Sequence, residues 1–255
     1  MAPIVLLTDF GGAGPYVGAM KGVILGIHPR AVLVDLTHEI PPQDVRAAAF
    51  VLASAADFFP RRSLFVCVVD PGVGTGRRIV YVEAGGHRFL APDNGLLTLV
   101  LGKHPHARAR AVTNSRLFLS EISSTFHGRD ILAPIAARLA RGLAPARLGP
   151  EIGRLETFPI PEVTVSKNGR TAKAEVLYAD RFGNLVTNLR DEPVSEIQIG
   201  RRRIRRAVTT YSQLAEGEAG LLRGSSGWLE IVVRNGSAKR RLGARVGSKV
   251  EARLE

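Results

Sequence analysis

Phe65-Val66-Cys67-Val68-Val69-Asp70-Pro71-Gly72-Val73-Gly74-Thr75-Gly76-Arg77-Arg78 is the stretch whose reading decides the fold. Its apolar, β-branched start reads as a strand over 64–70 buried on both faces, as parallel sheets require. The strand delivers a carboxylate to its C-terminal tip, where open α/β sheets place ligands. Glycines at 72, 74 and 76 let the following loop approach a ligand and adopt φ > 0. Asp70 and Arg77 can fold back on each other as a charge pair. The plainer alternative is a βα turn with a surface acid. The loop lacks the Lys-Ser/Thr ending of a phosphate-binding P-loop.

The same grammar recurs upstream. Residues 4–7 form an apolar strand running into Thr8-Asp9-Phe10-Gly11-Gly12. Pro15 suits a first helical turn, and Val17, Met20, Val23, Ile24 and Ile27 recur at helical spacing before His28-Pro29. A strand over 31–36 ends near Asp35, Thr37, His38 and Glu39, and an Ala-rich helix over 44–59 is stopped by Pro60. This β-α-β-α-β order predicts an α/β domain with a mainly parallel sheet and helices on both faces. Asp9, Asp35 and Asp70 at three strand tips would converge on a polar ligand.

Downstream, strands 79–84 and 88–90 join at Gly85-Gly86 as a hairpin, and Ala91-Pro92-Asp93-Asn94-Gly95 is a turn. A short helix over 96–101 and a strand over 109–113 follow. His127 enters the N-terminus of an amphipathic helix carrying Ile131, Leu132, Ile135 and Leu139, beside free N–H donors. A loop histidine can equally be a polar surface residue.

Prolines at 145, 150, 159 and 161 mark 142–161 as a linker. Beyond it, strand-like runs at 172–177, 185–189, 197–199, 204–208, 228–233 and 249–254 predict a smaller all-β domain. The expected organisation is an α/β domain over 1–155 and a β-barrel-like domain over 162–255.

The chain of 255 residues carries 35 Lys and Arg against 23 Asp and Glu, a net charge of +12. The excess is scattered except at 201–206, Arg-Arg-Arg-Ile-Arg-Arg. That run follows Ile199-Gly200, a hairpin signal, and reads as an exposed strand whose charges discourage edge pairing. It lacks the aromatic interleaving that stacks single-stranded bases, so a nucleic-acid partner is the weaker reading. The single cysteine, Cys67, excludes an internal disulfide framework and reads as an inert core thiol. No run approaches the roughly 20 apolar residues of a membrane span. The first residues lack a basic leader, and a cytoplasmic location is expected.

Six motifs occur in order: Thr8-Asp9-Phe10-Gly11; Asp70-Pro71-Gly72-Val73-Gly74-Thr75 with Arg77; Ala91-Pro92-Asp93-Asn94-Gly95; Ser124-Thr125-Phe126-His127-Gly128-Arg129-Asp130; Asp180-Arg181-Phe182-Gly183-Asn184-Leu185-Val186-Thr187-Asn188; and Ser225-Ser226-Gly227-Trp228-Leu229-Glu230-Ile231. Together they resemble the S-adenosyl-L-methionine hydrolase family, also called SAM hydroxide adenosyltransferases, relatives of fluorinase and chlorinase. The resemblance covers nearly the whole chain. It implies a homotrimer with each site between the α/β domain of one subunit and the β domain of its neighbour. It implies hydrolysis of S-adenosyl-L-methionine to adenosine and L-methionine, with no metal or other cofactor.

By the family pattern Asp70, Arg77 and His127 position and activate the attacking water, and the halogenating relatives depart at the position of Asp70. Asp9 would hold the ribose hydroxyls. Asp180 and Ser225 match positions around the methionine part, Asn184 and the segment 230–233, with Glu230 and Val233, match adenine contacts, and Tyr211 sits where relatives place an aromatic near the base. Phe182 and Trp228 are expected to pack in the core. Several relatives carry an acid near the position of Gly14, where Gly12-Ala13-Gly14 has none. Other readings are a protein that only binds adenosine-type ligands, a halogenase, and a basic nucleic-acid-associated protein.

Overall fold

The structure, a computed structural model, describes residues 2–190 and 192–255. The chain divides after Phe158 into two compact units.

The first unit is built on a seven-stranded sheet. Its strands are β1 (Ile4–Thr8), β2 (Leu33–Thr37), β3 (Leu64–Val68), β4 (Ile79–Ala84), β5 (His87–Pro92), β6 (Arg108–Ala111) and β7 (Glu151–Ile152). They lie in the order β2-β1-β3-β5-β4-β6-β7. The ladders β2/β1, β1/β3 and β3/β5 are parallel, whereas β5/β4, β4/β6 and β6/β7 are antiparallel. The expected mainly parallel sheet is therefore corrected to a mixed one. The Gly85-Gly86 turn is the cause: it reverses the chain in two residues, and a parallel neighbour needs a longer crossover.

Every residue of β1 and β3 is buried, because helices cover both sides of these central strands. Leu64, Val66 and Val68 face one side with Met20 and Ile24 of α1 (Tyr16–Ile27) and Ile135 and Leu139 of α4 (Ala133–Ala140). On the other side, Phe59 packs edge-on against Phe65, with ring centroids 5.2 Å apart. Phe59 follows α2 (Val45–Ala55), which packs against α3 (Thr98–Lys103). Alternate residues of one strand thus serve opposite cores. Asp44 caps α2 by accepting a hydrogen bond from Ala47 N at 2.9 Å.

Two readings change here. The 142–161 stretch is not a free linker, since Glu151 and Ile152 pair with β6 and Glu156 N donates to buried Asp93 at 2.8 Å. The helix expected from Ile131 begins as a wide turn over Gly128–Leu132 and becomes α-helical only at Ala133.

The second unit is a curled nine-stranded sheet. It comprises β8 (Thr164–Val165), β9 (Thr171–Ala179), β10 (Leu185–Thr187), β11 (Val194–Ile199), β12 (Arg202–Ile204), β13 (Ala207–Val208), β14 (Ala219–Arg223), β15 (Leu229–Val233) and β16 (Lys249–Leu254). The path runs β12-β11-β16-β9-β10-β15-β14-β13, with β8 added at β9. The curl encloses one core that includes Val176, Leu185, Ile197, Leu221, Ile231 and Val250. β12 ends the path, so the basic run does sit on an edge strand after a turn at Gly200. Sequence periodicity missed β14, which holds Gly220, and α5 (Ala238–Leu242), a helix too short to show a period. No helix among the described residues is long and apolar enough to cross a membrane.

Candidate active site

The order β2-β1-β3 places a topological switch between β1 and β3: the chain leaves β1 to one side and returns on the other. Such a point opens a crevice at the strands' C-terminal ends. Thr8 pairs with Val68 in register, so Asp9 and Asp70 follow the ends of adjacent parallel strands. Asp35 does not join them as a ligand-facing carboxylate. It sits within β2, held by Lys21 Nζ at 2.6 Å and His38 Nε2 at 3.0 Å. Asp9 Oδ2 accepts a hydrogen bond from Gln43 N at 2.8 Å, which ties the tip of β1 to the entrance of α2.

Arg77 joins the other two residues expected at the centre. Its Nε donates to Asp70 Oδ1 and Oδ2 at 3.0 and 2.9 Å, and one terminal nitrogen donates both to Oδ2 and to His127 Nδ1, the latter at 2.8 Å. The Asp70 and Arg77 side chains are only 6% and 11% exposed, so this pair is poorly screened by water. Arginine has no acceptor to offer, so His127 Nδ1 must be the acceptor and its hydrogen resides on Nε2. Burial, reinforced by the Arg77 charge, holds the His127 pKa below its ordinary 6.5, so the imidazole is neutral at pH 7.

Two backbone features bring these side chains together. Gly74 has φ +78°, and a Cβ there would lie 2.3 Å from Ser124 O. The glycine loop is thus pressed against the segment that carries His127. At Gly128 a Cβ would meet Met20 Sδ at 3.2 Å and Val68 Cγ1 at 3.3 Å, so the wide turn is seated on the end of β3. Asp130, fully buried, accepts from Ser123 N at 2.8 Å and from Arg129, which organises the same loop. Asn94 was legible only as a turn residue. Its Nδ2 donates to Val69 O at 2.9 Å and so fixes the backbone just before Asp70.

In the second unit, Asp180 accepts from Asn184 N at 2.8 Å and Asn184 Nδ2 at 2.9 Å, and Asn184 Nδ2 also reaches Tyr211 Oη at 3.4 Å. Glu230 belongs to the same cluster. Its pKa is pushed up to about 7 by burial and then by the Asp180 charge. The Glu230 carboxyl occupies the space over Gly224, where a Cβ would stand 1.8 Å from Oε1. Tyr211 is 46% exposed and its pKa is raised, chiefly by burial of its hydroxyl and then by Glu230 and Asp180.

Ser225 lies in the exposed turn between β14 and β15. Val233 is packed into the core of the curled sheet, with its carbonyl accepting from Gly236 N, and its side chain does not join the cluster. Phe182 is 74% exposed, at the tip of the turn that carries Asp180, which corrects its expected place in the core. Trp228 is half-buried with the Arg190 guanidinium 3.6 Å above its ring, a cation–π contact outside the core.

Comparison with known proteins adds to this geometry. The SAM hydroxide adenosyltransferase N-terminal domain matches residues 4–149, and the C-terminal domain of the same family matches residues 174–251. A protein of Thermus thermophilus named (R)-S-adenosyl-L-methionine hydrolase is 40% identical over 98% of this chain and 99% of its own. One of the same name from Salinispora tropica is 38% identical, covering 98% of each. A fluorinase of an Actinoplanes species is more distant, at 27% identity over 77% of this chain and 74% of its own. The crystal structure of an uncharacterized conserved protein from Thermotoga maritima superposes with a TM-score of 0.90 at 35% identity, covering 98% of this chain and 99% of that one. Matched across both of its units, this chain belongs to the SAM hydroxide adenosyltransferase family.

Proposed function

We propose that this protein hydrolyses (R)-S-adenosyl-L-methionine to adenosine and L-methionine, the activity in the names of its relatives at 37–43% identity. The observation that carries the reading is the guanidinium of Arg77 held between the Asp70 carboxylate and neutral His127.

The reaction is a displacement at the ribose C5′. A water oxygen forms the new bond to C5′, the C5′–S bond breaks with its electron pair going to sulfur, and the sulfonium leaves as neutral methionine. A neutral leaving group needs no acid, so the protein's task is to orient one water and accept its proton. Proximity supplies much of such a gain. Among the described residues Asp70 Oδ1 accepts only from Arg77 Nε, which leaves it capacity to receive a water hydrogen. Arg77 favours the developing hydroxide, and His127, accepting from Arg77, holds the guanidinium in place. A carboxylate at this position suits water, whose proton needs an acceptor, over halide, which carries none. Around the substrate, Asp9 would take the two ribose hydroxyls through its remaining oxygen. Asp180, Asn184, Tyr211, Glu230 and the turn at Ser225 would hold the adenine and methionine ends, and the backbone at Val233 would border the base.

The family resemblance supports a homotrimer, for which light scattering should give three times the 27.4 kDa of one chain. The decisive experiment incubates the wild type and Asp70→Asn with S-adenosyl-L-methionine, with and without chloride, and separates the products. Adenosine from the wild type and almost none from the variant, with substrate binding kept, is expected. A chlorinated nucleoside would point to halogenation, and equal adenosine from both would refute the role of Asp70.

A further inference from the structure

We propose a second ligand site in the first unit, for a phosphate-bearing anion, at the end of the sheet away from Asp70. The cavity there has a volume of about 680 Å³ and is lined by Arg62, His87, Arg88, Lys103, His104 and Arg108 among others. Arg62 precedes β3 and His87 opens β5, whereas Asp70 lies beyond the other end of β3. The five residues of β3 alone put about 13 Å between the two places. The volume falls in the range of sites that take nucleotide-sized molecules.

Charge points to an anion. Among the described residues, no carboxylate is within ion-pairing distance of Arg62, Arg88 or Arg108. The one acid lining the cavity, Glu83, is cross-strand to both Arg88 and Arg108 and accepts a hydrogen bond from Tyr81 Oη at 2.8 Å. Arg88 spends its Nε and one terminal nitrogen on Arg62 O, at 3.0 and 2.7 Å, which holds its fork in place and leaves the other terminal nitrogen uncommitted. Three guanidiniums with a single neighbouring carboxylate, one of them fixed by the backbone, match the multidentate oxygens of a phosphate group better than a further carboxylate.

A second observation is independent of the charges. His87 is 94% buried, and its Nδ1 has no hydrogen-bond partner among the described residues. That nitrogen is sealed from solvent, so the ring is part of the cavity's wall and does not itself reach a ligand. The wall is closely built as well. A Cβ on Gly85 would stand 2.3 Å from His104 Nε2, and one on Gly86 would stand 2.8 Å from an Arg61 terminal nitrogen. The hairpin turn therefore needs both glycines to let a histidine and a further guanidinium lie against its backbone. Burial lowers the pKa of Arg88, with Arg62 adding to the effect and Tyr81 and Glu83 opposing it.

The experiment is calorimetric titration of the full chain with sodium tripolyphosphate and, separately, with ATP at constant ionic strength. One saturable site per chain is expected, at least tenfold weaker in the double variant R62Q/R108Q. Tighter binding of ATP identifies a nucleotide and equal binding identifies the phosphate chain alone; either supports the site. Turnover of S-adenosyl-L-methionine and thermal stability should be unchanged in R62Q/R108Q. Absence of saturable heat, equal affinity for sulfate, unaltered binding by R62Q/R108Q, or displacement of tripolyphosphate by adenosine would each overturn the proposal. The Asp70→Asn assay stands apart from this titration, so either reading can fail alone.

Discussion

Replacing Arg77 by glutamine should damage stability, rate and pH dependence in a linked way, because one guanidinium serves both Asp70 and His127. The Asp70 side chain is 6% exposed, and without Arg77 it becomes a buried carboxylate with no cationic partner. Removing one member of such a pair costs about 3–5 kcal/mol. For a unit of this size, about 3 kcal/mol corresponds to a fall of roughly 6–12 °C in the melting temperature at pH 7. Loss of one positioned electrostatic donor lowers kcat by about 10²–10³.

The pH dependence has a definite sign. In the wild type His127 is neutral to below pH 6.5, since burial and then Arg77 disfavour its charge. Above 6.5 the folded and unfolded states bind the same number of protons at this residue. As the pH falls from 6.5 towards the lower folded value, the unfolded state takes up a proton first and stability declines. In Arg77→Gln the Arg77 contribution vanishes while the Asp70 charge, which favours protonation, stays. The His127 pKa then rises, and the acid limb of residual activity moves to higher pH. Thermal melts from pH 5 to 8, a proton NMR titration of His127 and a pH–rate profile test all three effects. An unchanged acid limb together with an unchanged melting temperature would refute the bridge.

Gly74→Ala should cost at least tenfold in activity, because its Cβ would strike Ser124 O. Gly76→Ala, with nothing within 4 Å and no positive φ, should be tolerated, and initial rates compare the two. Asn94→Ala removes the hydrogen bond to Val69 O and should destabilise the protein by about 1–3 kcal/mol in urea melts, with kcat falling more than KM rises. Asp180→Asn should bring the Glu230 pKa down from about 7 by removing the like charge, read by carboxyl-carbon NMR. In the wild type the raised Glu230 pKa makes the second unit lose stability as pH rises from 4.5 towards 7, and the variant should lose less.

Two of the residues proposed for catalysis were legible because local chemistry concentrates there. A fully buried strand, an acid two residues past its end and a glycine loop closing on arginine need only local geometry to produce the Asp70–Arg77 pair. His127 is fifty residues from Arg77, and its place at the centre came from the ordered motifs, not from spacing alone. Asn94 escaped because a turn asparagine that fixes its own backbone and one that reaches another strand look the same in sequence. Phe182 misled because apolarity predicts burial on average, while a turn tip has no core to enter.

Composition, periodicity and motif order by themselves determined an α/β unit followed by a β unit and the family the chain resembles, since each is a one-dimensional pattern. The tertiary structure decided what depends on three-dimensional closure. A two-glycine turn, not the run of βα units, set β4 antiparallel to both of its neighbours. Asp35 went to Lys21 and His38, and Asp70 to Arg77, although both read in the sequence as strand-end acids, because only packing sets which cation lies within reach. The tautomer of His127 belongs to the same class. It follows from a donor fifty residues away whose direction no local pattern encodes.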